Sequence, residues 1–123
     1  MSSRKATIDR KTNETEINVT LELDGEGTSD VQTGIGFLDH LLGALVGHGR
    51  FNLKLRCKGD LQVDDHHTAE DCGLALGSAL QGALGDRSGI TRFGYAYAPL
   101  DEALARAVVD ISGRPFATID LGL

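Results

Sequence analysis

Two stretches near the start of the chain have the pattern of strands, and the second of them alternates hydrophobic and polar side chains strictly. The first covers residues 4–10 and the second covers residues 14–24. The aliphatic positions of the second stretch are Ile17, Val19, Leu21 and Leu23. Because successive side chains of a β-strand point to opposite faces, both stretches predict strands, and the second strand has one buried and one wet face. The segment Gly25-Glu26-Gly27 predicts the turn that ends it.

A hydrophobic period close to four residues follows in residues 35–47. Phe37, Leu41 and Leu45 recur at this spacing. The neighbouring apolar residues are Leu38, Leu42 and Val46. This spacing predicts an amphipathic helix, and Gly49 is a suitable residue to end it.

A further strand and a second helix complete this part of the chain. Residues 51–57 alternate apolar and polar side chains, which predicts a strand. Residues 66–84 predict a helix that Asp64 or Asp65 can cap. Its predicted apolar side consists of Leu74, Leu76, Ala79, Leu80 and Ala83. The order β-β-α-β-α favours a two-layer α+β fold with both helices on one face of the sheet.

The segment after residue 91 resembles the beginning of the chain. A shift of 88 positions without a gap places Arg4 on Arg92 and Glu14 on Glu102. The aliphatic residues of the strict alternation fall on Ala105, Ala107, Val109 and Ile111. We therefore expect internally repeated units, with residues 1–88 as the first repeat. Residues 89–123 are expected to supply only strands of an incomplete second repeat, including one at residues 116–121, within one integrated domain.

Composition and charge narrow the classes of function. The chain is 41% hydrophobic and 24% charged, as in ordinary globular proteins. It contains neither a membrane-length apolar run nor a signal-peptide core. We expect a cytoplasmic protein, or a plastid protein whose transit segment was removed. The net charge of −6 argues against a nucleic-acid partner but permits an anionic substrate. Cys57 and Cys72 are predicted as reduced, buried thiols.

The four histidines suggest a metal site. His66 and Glu70 are four residues apart, so they share a helix face and can close on one ion. His67 points about 100° away around the helix axis and suits a second ion, with His40 as its candidate partner. The aspartates expected to orient the imidazoles are Asp64, Asp65 and Asp71. Spacing alone also allows an acidic helix start without metal, and the donors fit manganese, iron, cobalt or zinc equally.

Four longer motifs occur in order along the chain. They are Gly36-Phe37-Leu38-Asp39-His40-Leu41-Leu42, Asp65-His66-His67-Thr68-Ala69-Glu70-Asp71, Pro99-Leu100-Asp101-Glu102-Ala103 and Asp110-Ile111-Ser112-Gly113-Arg114-Pro115. With Arg10-Lys11-Thr12-Asn13-Glu14-Thr15 before them, they resemble the imidazoleglycerol-phosphate dehydratase family over essentially the whole chain. The resemblance implies two similar halves, each with a four-stranded sheet and two helices. It also implies conversion of imidazole glycerol phosphate to imidazole acetol phosphate in histidine biosynthesis, and two manganese ions per complete site. The sites would lie between subunits of a homo-oligomer of 24 subunits.

The resemblance also implies roles for individual residues. His66 and Glu70 would bind one manganese ion, and His40 and His67 would bind the other. Glu14 would contact the substrate as an acid–base residue.

Other positions carry over as phosphate ligands or as weaker candidates. Arg92 and Arg114 would hold the phosphate, although each would otherwise be interpreted as an ordinary surface charge. Asp101 is either catalytic or a turn residue, and His48 either lines the site or ends a helix.

The sequence departs from the family pattern in one respect. It lacks the second His-His-x-x-Glu segment and the basic C-terminal region of the family. We therefore expect a truncated chain or a chain broken by a disordered segment. Two alternatives stay open, a metallohydrolase whose ligands activate water and an inactive assembly fragment of the dehydratase. Weak metal affinity would favour an enzyme half over an assembly module.

Overall fold

The strictly alternating segment near the start of the chain forms an inner strand of a four-stranded sheet. The computed structural model describes residues 3–123, and these divide into two units between Asp86 and Arg87. The first unit contains β1 (Lys5–Lys11), β2 (Thr15–Glu22), β3 (Ser29–Gln32), α1 (Gly36–Gly49), β4 (Asn52–Gly59) and α2 (His66–Leu84). The second contains β5 (Phe93–Leu100) and β6 (Ala103–Asp110). The boundary lies close to the predicted one at residue 88, and the expected integration into one domain stays a prediction.

The sheet of the first unit has the strand order β1-β2-β4-β3. Strand β2 pairs antiparallel with β1 and β4, and β3 pairs parallel with β4. The predicted inward positions of β2 are confirmed, because Ile17, Val19, Leu21 and Leu23 are all buried. Strand β3 was missed because Ser29-Asp30-Val31-Gln32 contains only one aliphatic residue and shows no alternation.

Both helices contribute to one core on a single face of this sheet, which confirms the predicted α+β architecture. The prediction of which side of each helix is buried was partly wrong. Helix α1 buries Val46, whereas the side chain of Phe37 is 71% exposed. Helix α2 buries Ala75, Ala79 and Ala83, whereas Leu74 and Leu80 are exposed. Small side chains face the sheet because they allow a close approach of helix and strands, and the larger leucines point outward.

The two cysteines are free thiols of the first unit. Cys72 is buried as predicted, but Cys57 is only half-buried. Burial, followed by the neighbouring Cys57, raises the pKa of Cys72 to about 12, so this thiol stays protonated at neutral pH.

The predicted repeat is visible in the strand register. Strand β6 begins and ends 88 residues after β2, and the pair Phe93↔Asp110 corresponds to Lys5↔Glu22 with the same shift. The hydrogen bond from the Ile111 N–H to the Arg92 carbonyl repeats the one from Leu23 to Arg4. The hairpin of the second unit is therefore a second copy of the β1–β2 hairpin.

The strand predicted at residues 116–121 is absent from the described chain. The same shift places this segment on β3, whose hydrogen-bonding partner is β4. The equivalent of β4 would begin near residue 140, outside the described residues. A strand needs a neighbour to pair with, and residues 3–123 provide none for this segment, so the prediction was wrong.

No helix among residues 3–123 is long and apolar enough to cross a membrane.

Gly59 at the end of β4 offers a test of helix–sheet packing. A Cβ atom there would overlap the hydroxyl of Thr68, a fully buried residue in the first turn of α2. We expect Gly59→Ala to lower the free energy of unfolding by about 1–3 kcal/mol in urea denaturation, because the crowded turn must shift. The control Gly73→Ala lies in α2 with open space around it and should stabilise by about 0.5–1 kcal/mol. Equal effects of both changes would contradict the proposed crowding.

Candidate functional site

The candidate ligands of α2 lie within its first five residues, directly after a short connection from β4. The backbone N–H of His66 donates to Asp64 Oδ1 over 3.0 Å. Of the two predicted capping residues, Asp64 therefore caps this end. Asp65 occupies the cap position without a capping hydrogen bond from its side chain.

His66 and Glu70 form the pair that their spacing predicted. His66 Nε2 lies 2.8 Å from Glu70 Oε2, and both side chains are largely exposed. One turn of helix places the two residues on the same face. An imidazole nitrogen and a carboxylate oxygen are thus presented together at the surface.

His67 has a different partner, which the sequence did not indicate. Its Nδ1 atom lies 2.8 Å from Asp60 Oδ2. This hydrogen bond is the largest cause that raises the pKa of His67, burial opposes it, and the negative charges of Asp60, Glu14 and Asp71 add to the rise. The only signal for Asp60 is its place just after Gly59, at the end of a strand.

Asp71 does not orient an imidazole, contrary to expectation. It accepts hydrogen bonds from the Thr15 hydroxyl over 2.6 Å and from Arg10 over 3.3 Å. The Thr15 hydrogen bond is the largest cause that holds the pKa of Asp71 below its usual value, with Arg10 adding to it. Asp71 therefore ties α2 to the β1–β2 hairpin.

Glu14 lies at the tip of that hairpin and is exposed. Its backbone N–H donates to the Thr12 hydroxyl, which shapes the loop. Glu14 and Asp60 line the same shallow groove of about 360 Å³. Because the charge of Glu14 also acts on His67, the structure brings the predicted acid–base residue to the same end of the sheet as the histidine pair.

The histidines of α1 are both exposed. The His40 ring stacks on Phe37 with 6.5 Å between ring centroids. The adjacent Asp39 accepts hydrogen bonds from Thr33 and so holds the start of the helix. His48 lies in the last turn of α1, as an ordinary helix-end histidine would. Within residues 3–123, no three histidine, cysteine or carboxylate side chains converge as metal ligands, so the shared ion of His40 and His67 stays a prediction.

The candidate phosphate ligands belong to the second unit. Arg92 forms a two-point ion pair with Asp110, at 2.6 and 3.1 Å, and lies over the Phe93 ring. This hydrogen bonding is the largest cause that lowers the pKa of Asp110, to which the charge of Arg114 also contributes. Both arginines are exposed. Asp101 has a left-handed backbone (φ 50°) in the loop between β5 and β6, which supports its role as a turn residue.

The chain is similar in sequence to proteins of one known family. The sequence model of the family described as "Imidazoleglycerol-phosphate dehydratase" matches residues 33–123. The chain belongs to this family. Proteins of that name from Chlorobium luteolum and Salinibacter ruber are 58% and 55% identical over 94% and 97% of the chain. The chain spans 58% and 59% of their lengths.

Solved structures of the imidazoleglycerol-phosphate dehydratase family show the same fold. The Staphylococcus aureus dehydratase superimposes with a TM-score of 0.78 at 35% identity, over 94% of this chain and 65% of that one. The Pyrococcus furiosus enzyme in complex with (S)-C348 gives 0.79 at 36% identity, over 93% and 60%. These similarities confirm the family and the fold.

The contacts of Asp71 predict a pH-dependent link between α2 and the hairpin. Asp71→Asn should lower the free energy of unfolding by about 1–3 kcal/mol at pH 7, because the charged partner of Thr15 and Arg10 is lost. The lowered pKa means that the wild-type carboxylate contributes fully above about pH 4 and loses its contribution as the pH falls through that lowered value. In urea denaturation, the difference in the free energy of unfolding between the wild type and Asp71→Asn should therefore narrow below about pH 4.

Asp9→Asn is a suitable control, because Asp9 bonds Asn18 on the exposed side of the sheet. It should change stability by no more than about 0.5 kcal/mol. A difference for Asp71→Asn that stays constant down to pH 2 would contradict the assigned role.

Proposed function

We propose that the chain supplies the first half of the active site of a metal-dependent dehydratase, which converts imidazole glycerol phosphate to imidazole acetol phosphate in histidine biosynthesis. The observation that carries this proposal is the paired His66 Nε2 and Glu70 Oε2 next to an oriented His67, in a chain of this family. Family membership favours a dehydratase over the metallohydrolase alternative. The assembly of 24 subunits and the cytoplasmic location remain expectations.

The donors of α2 fit manganese. Imidazole nitrogen and carboxylate oxygen both suit this ion. The 2.8 Å between His66 Nε2 and Glu70 Oε2 supports the proposal, because two atoms that close can bind the same ion. His66 and Glu70 would hold one ion, while His67 and His40 would each contribute to a second. Each set supplies two ligands, so further donors are required. Bound manganese would supply Lewis-acid stabilisation of negative charge on the imidazole of the substrate.

The reaction removes a hydroxyl group and a carbon-bound hydrogen from the substrate, so one group must accept a proton and another must donate one. Glu14 is the candidate for one of these transfers, because it is exposed on a groove that is also lined by Asp60, the partner of His67. Arg92 and Arg114 would bind the phosphate with charge-assisted hydrogen bonds. The two arginines together with Asp110 carry a net positive charge, which favours an anionic ligand.

Turnover by a chimeric protein tests this proposal. We expect the purified 123-residue chain to show no water elimination with manganese, because each ion finds only two ligands. A chimera in which the C-terminal segment of the Chlorobium luteolum relative follows Leu123 should eliminate water from imidazole glycerol phosphate. His66→Ala in the chimera should lower both turnover and bound manganese at least ~10–100-fold.

Two results would contradict the proposal. The first is turnover by the 123-residue chain at the rate of the chimera. The second is a folded chimera, with the circular dichroism of the relative, that neither binds manganese nor reacts.

The proposed contacts of Arg92 and Arg114 with the phosphate can be tested separately through KM. In the chimera, Arg92→Ala and Arg114→Ala should each raise KM by roughly 10–150-fold, because each removes a charge-assisted contact to phosphate. Arg4→Ala is a control that should keep KM within about twofold, because Arg4 is the counterpart of Arg92 in the first repeat and pairs with Asp24 in the same way. Unchanged KM in both test variants would place the phosphate ligands elsewhere.

A further inference from the structure

Asp60 forms a hydrogen bond with His67, one of the two adjacent histidines. The prediction of the metal site did not include this carboxylate. Asp60 Oδ2 lies 2.8 Å from His67 Nδ1. The Asp60 side chain is 14% exposed, whereas that of His67 is 42% exposed. The carboxylate is thus shielded from water while the imidazole extends from it toward the surface.

We propose that Asp60 is a positioning residue, which keeps the proton of the neutral His67 imidazole on Nδ1 and thereby presents the Nε2 lone pair to a divalent cation. An ionised carboxylate can only accept a hydrogen bond, so the nitrogen facing it must carry the hydrogen. The other nitrogen, Nε2, then has a free lone pair, and none of residues 3–123 forms a hydrogen bond with it. The inference rests on the proposed metal-dependent function.

The two histidines use opposite ring nitrogens. His66 meets Glu70 through Nε2, on the same helix face. His67 meets Asp60 through Nδ1, on the side of the sheet. Their rings are 5.7 Å apart and inclined at 61°. Asp60 therefore fixes the direction of His67 independently of the His66–Glu70 pair.

The local fold is built to bring Asp60 to this position. Strand β4 ends at Gly59, and a turn closed by the hydrogen bond from Val63 N–H to the Asp60 carbonyl follows. The missing side chain of Gly59 lets Thr68 pack against the strand end. His67, the residue before Thr68, is thereby brought within reach of Asp60.

The environment of Asp60 argues for a role beyond stability. Its other oxygen, Oδ1, is buried and accepts no hydrogen bond from the described residues. A shielded carboxylate with an unsatisfied oxygen costs free energy, so a chain selected for stability alone would favour an apolar or amide side chain here. When a carboxylate accepts a hydrogen bond from the second nitrogen of a ligating imidazole, it fixes the tautomer of the ring and raises its basicity. Such a role would explain why a carboxylate is present here despite its cost in stability.

Nitrogen NMR of the metal-free 123-residue chain tests the tautomer directly. At a pH where His67 is neutral, the histidine ¹⁵N spectrum of the wild type should show the hydrogen on Nδ1. Asp60→Ala should shift the population toward the tautomer with the hydrogen on Nε2, and Asp60→Asn, whose amide oxygen still accepts, should retain part of the wild-type pattern. Asp64→Ala is the matched control, because Asp64 bonds only the backbone of His66. It should leave the His67 pattern unchanged.

Manganese ions alone provide the second readout, because they broaden NMR signals of nearby nuclei. The His67 ring should broaden during titration of the wild type, and Asp60→Ala should raise the required manganese concentration ~10–100-fold. Unchanged tautomer and unchanged broadening in Asp60→Ala would overturn the inference while leaving the proposed function standing. A wild type with the Nδ1–H tautomer that manganese does not broaden would count against the metal role itself.

Discussion

The close contact between the first turn of α2 and the end of β4 is the constraint on which the candidate site depends. Thr68 packs against Gly59, where no side chain intervenes. This contact fixes where the helix begins, and its first five residues include His66, His67 and Glu70. A wider separation would move His67 away from Asp60 and would turn two directed imidazoles into freely rotating surface side chains.

A second set of contacts joins this helix to the hairpin that carries Glu14. Asp71 binds Thr15 at the start of β2 and Arg10 near the end of β1. Farther along α2, the alanines at positions 75, 79 and 83 continue the close approach. The helix therefore approaches the sheet along its length with small side chains, and near its start it is also held by one nearly buried carboxylate. Helix packing and site geometry depend on the same interface, so a change in one is expected to appear in the other.

The sequence was sufficient for the parts of the fold that follow a regular period. The alternation of β2 predicted its buried face. The 88-residue shift predicted strands after residue 91, and the structure pairs them with the register of the first hairpin. Helix faces were less predictable, because the sheet selects small side chains such as Ala79 over larger ones such as Leu80. The contact of Asp60 with His67 could not be predicted, because it depends on a turn and on the lack of a side chain at Gly59 rather than on a repeating pattern.

In the second unit, the proposed phosphate ligands lie beside a carboxylate. Asp110 holds Arg92 through two hydrogen bonds and lies within the electrostatic influence of Arg114. Such a carboxylate orders an exposed guanidinium before any ligand arrives, which reduces the side-chain entropy lost on binding. It also competes with a phosphate for the same hydrogen-bond donors. Because a guanidinium has five N–H groups and Asp110 engages only the Nε and one terminal nitrogen, donors remain for a second anion. An arginine held in this way can bind phosphate without releasing its carboxylate, and net charge alone is therefore a poor guide to what such a surface binds.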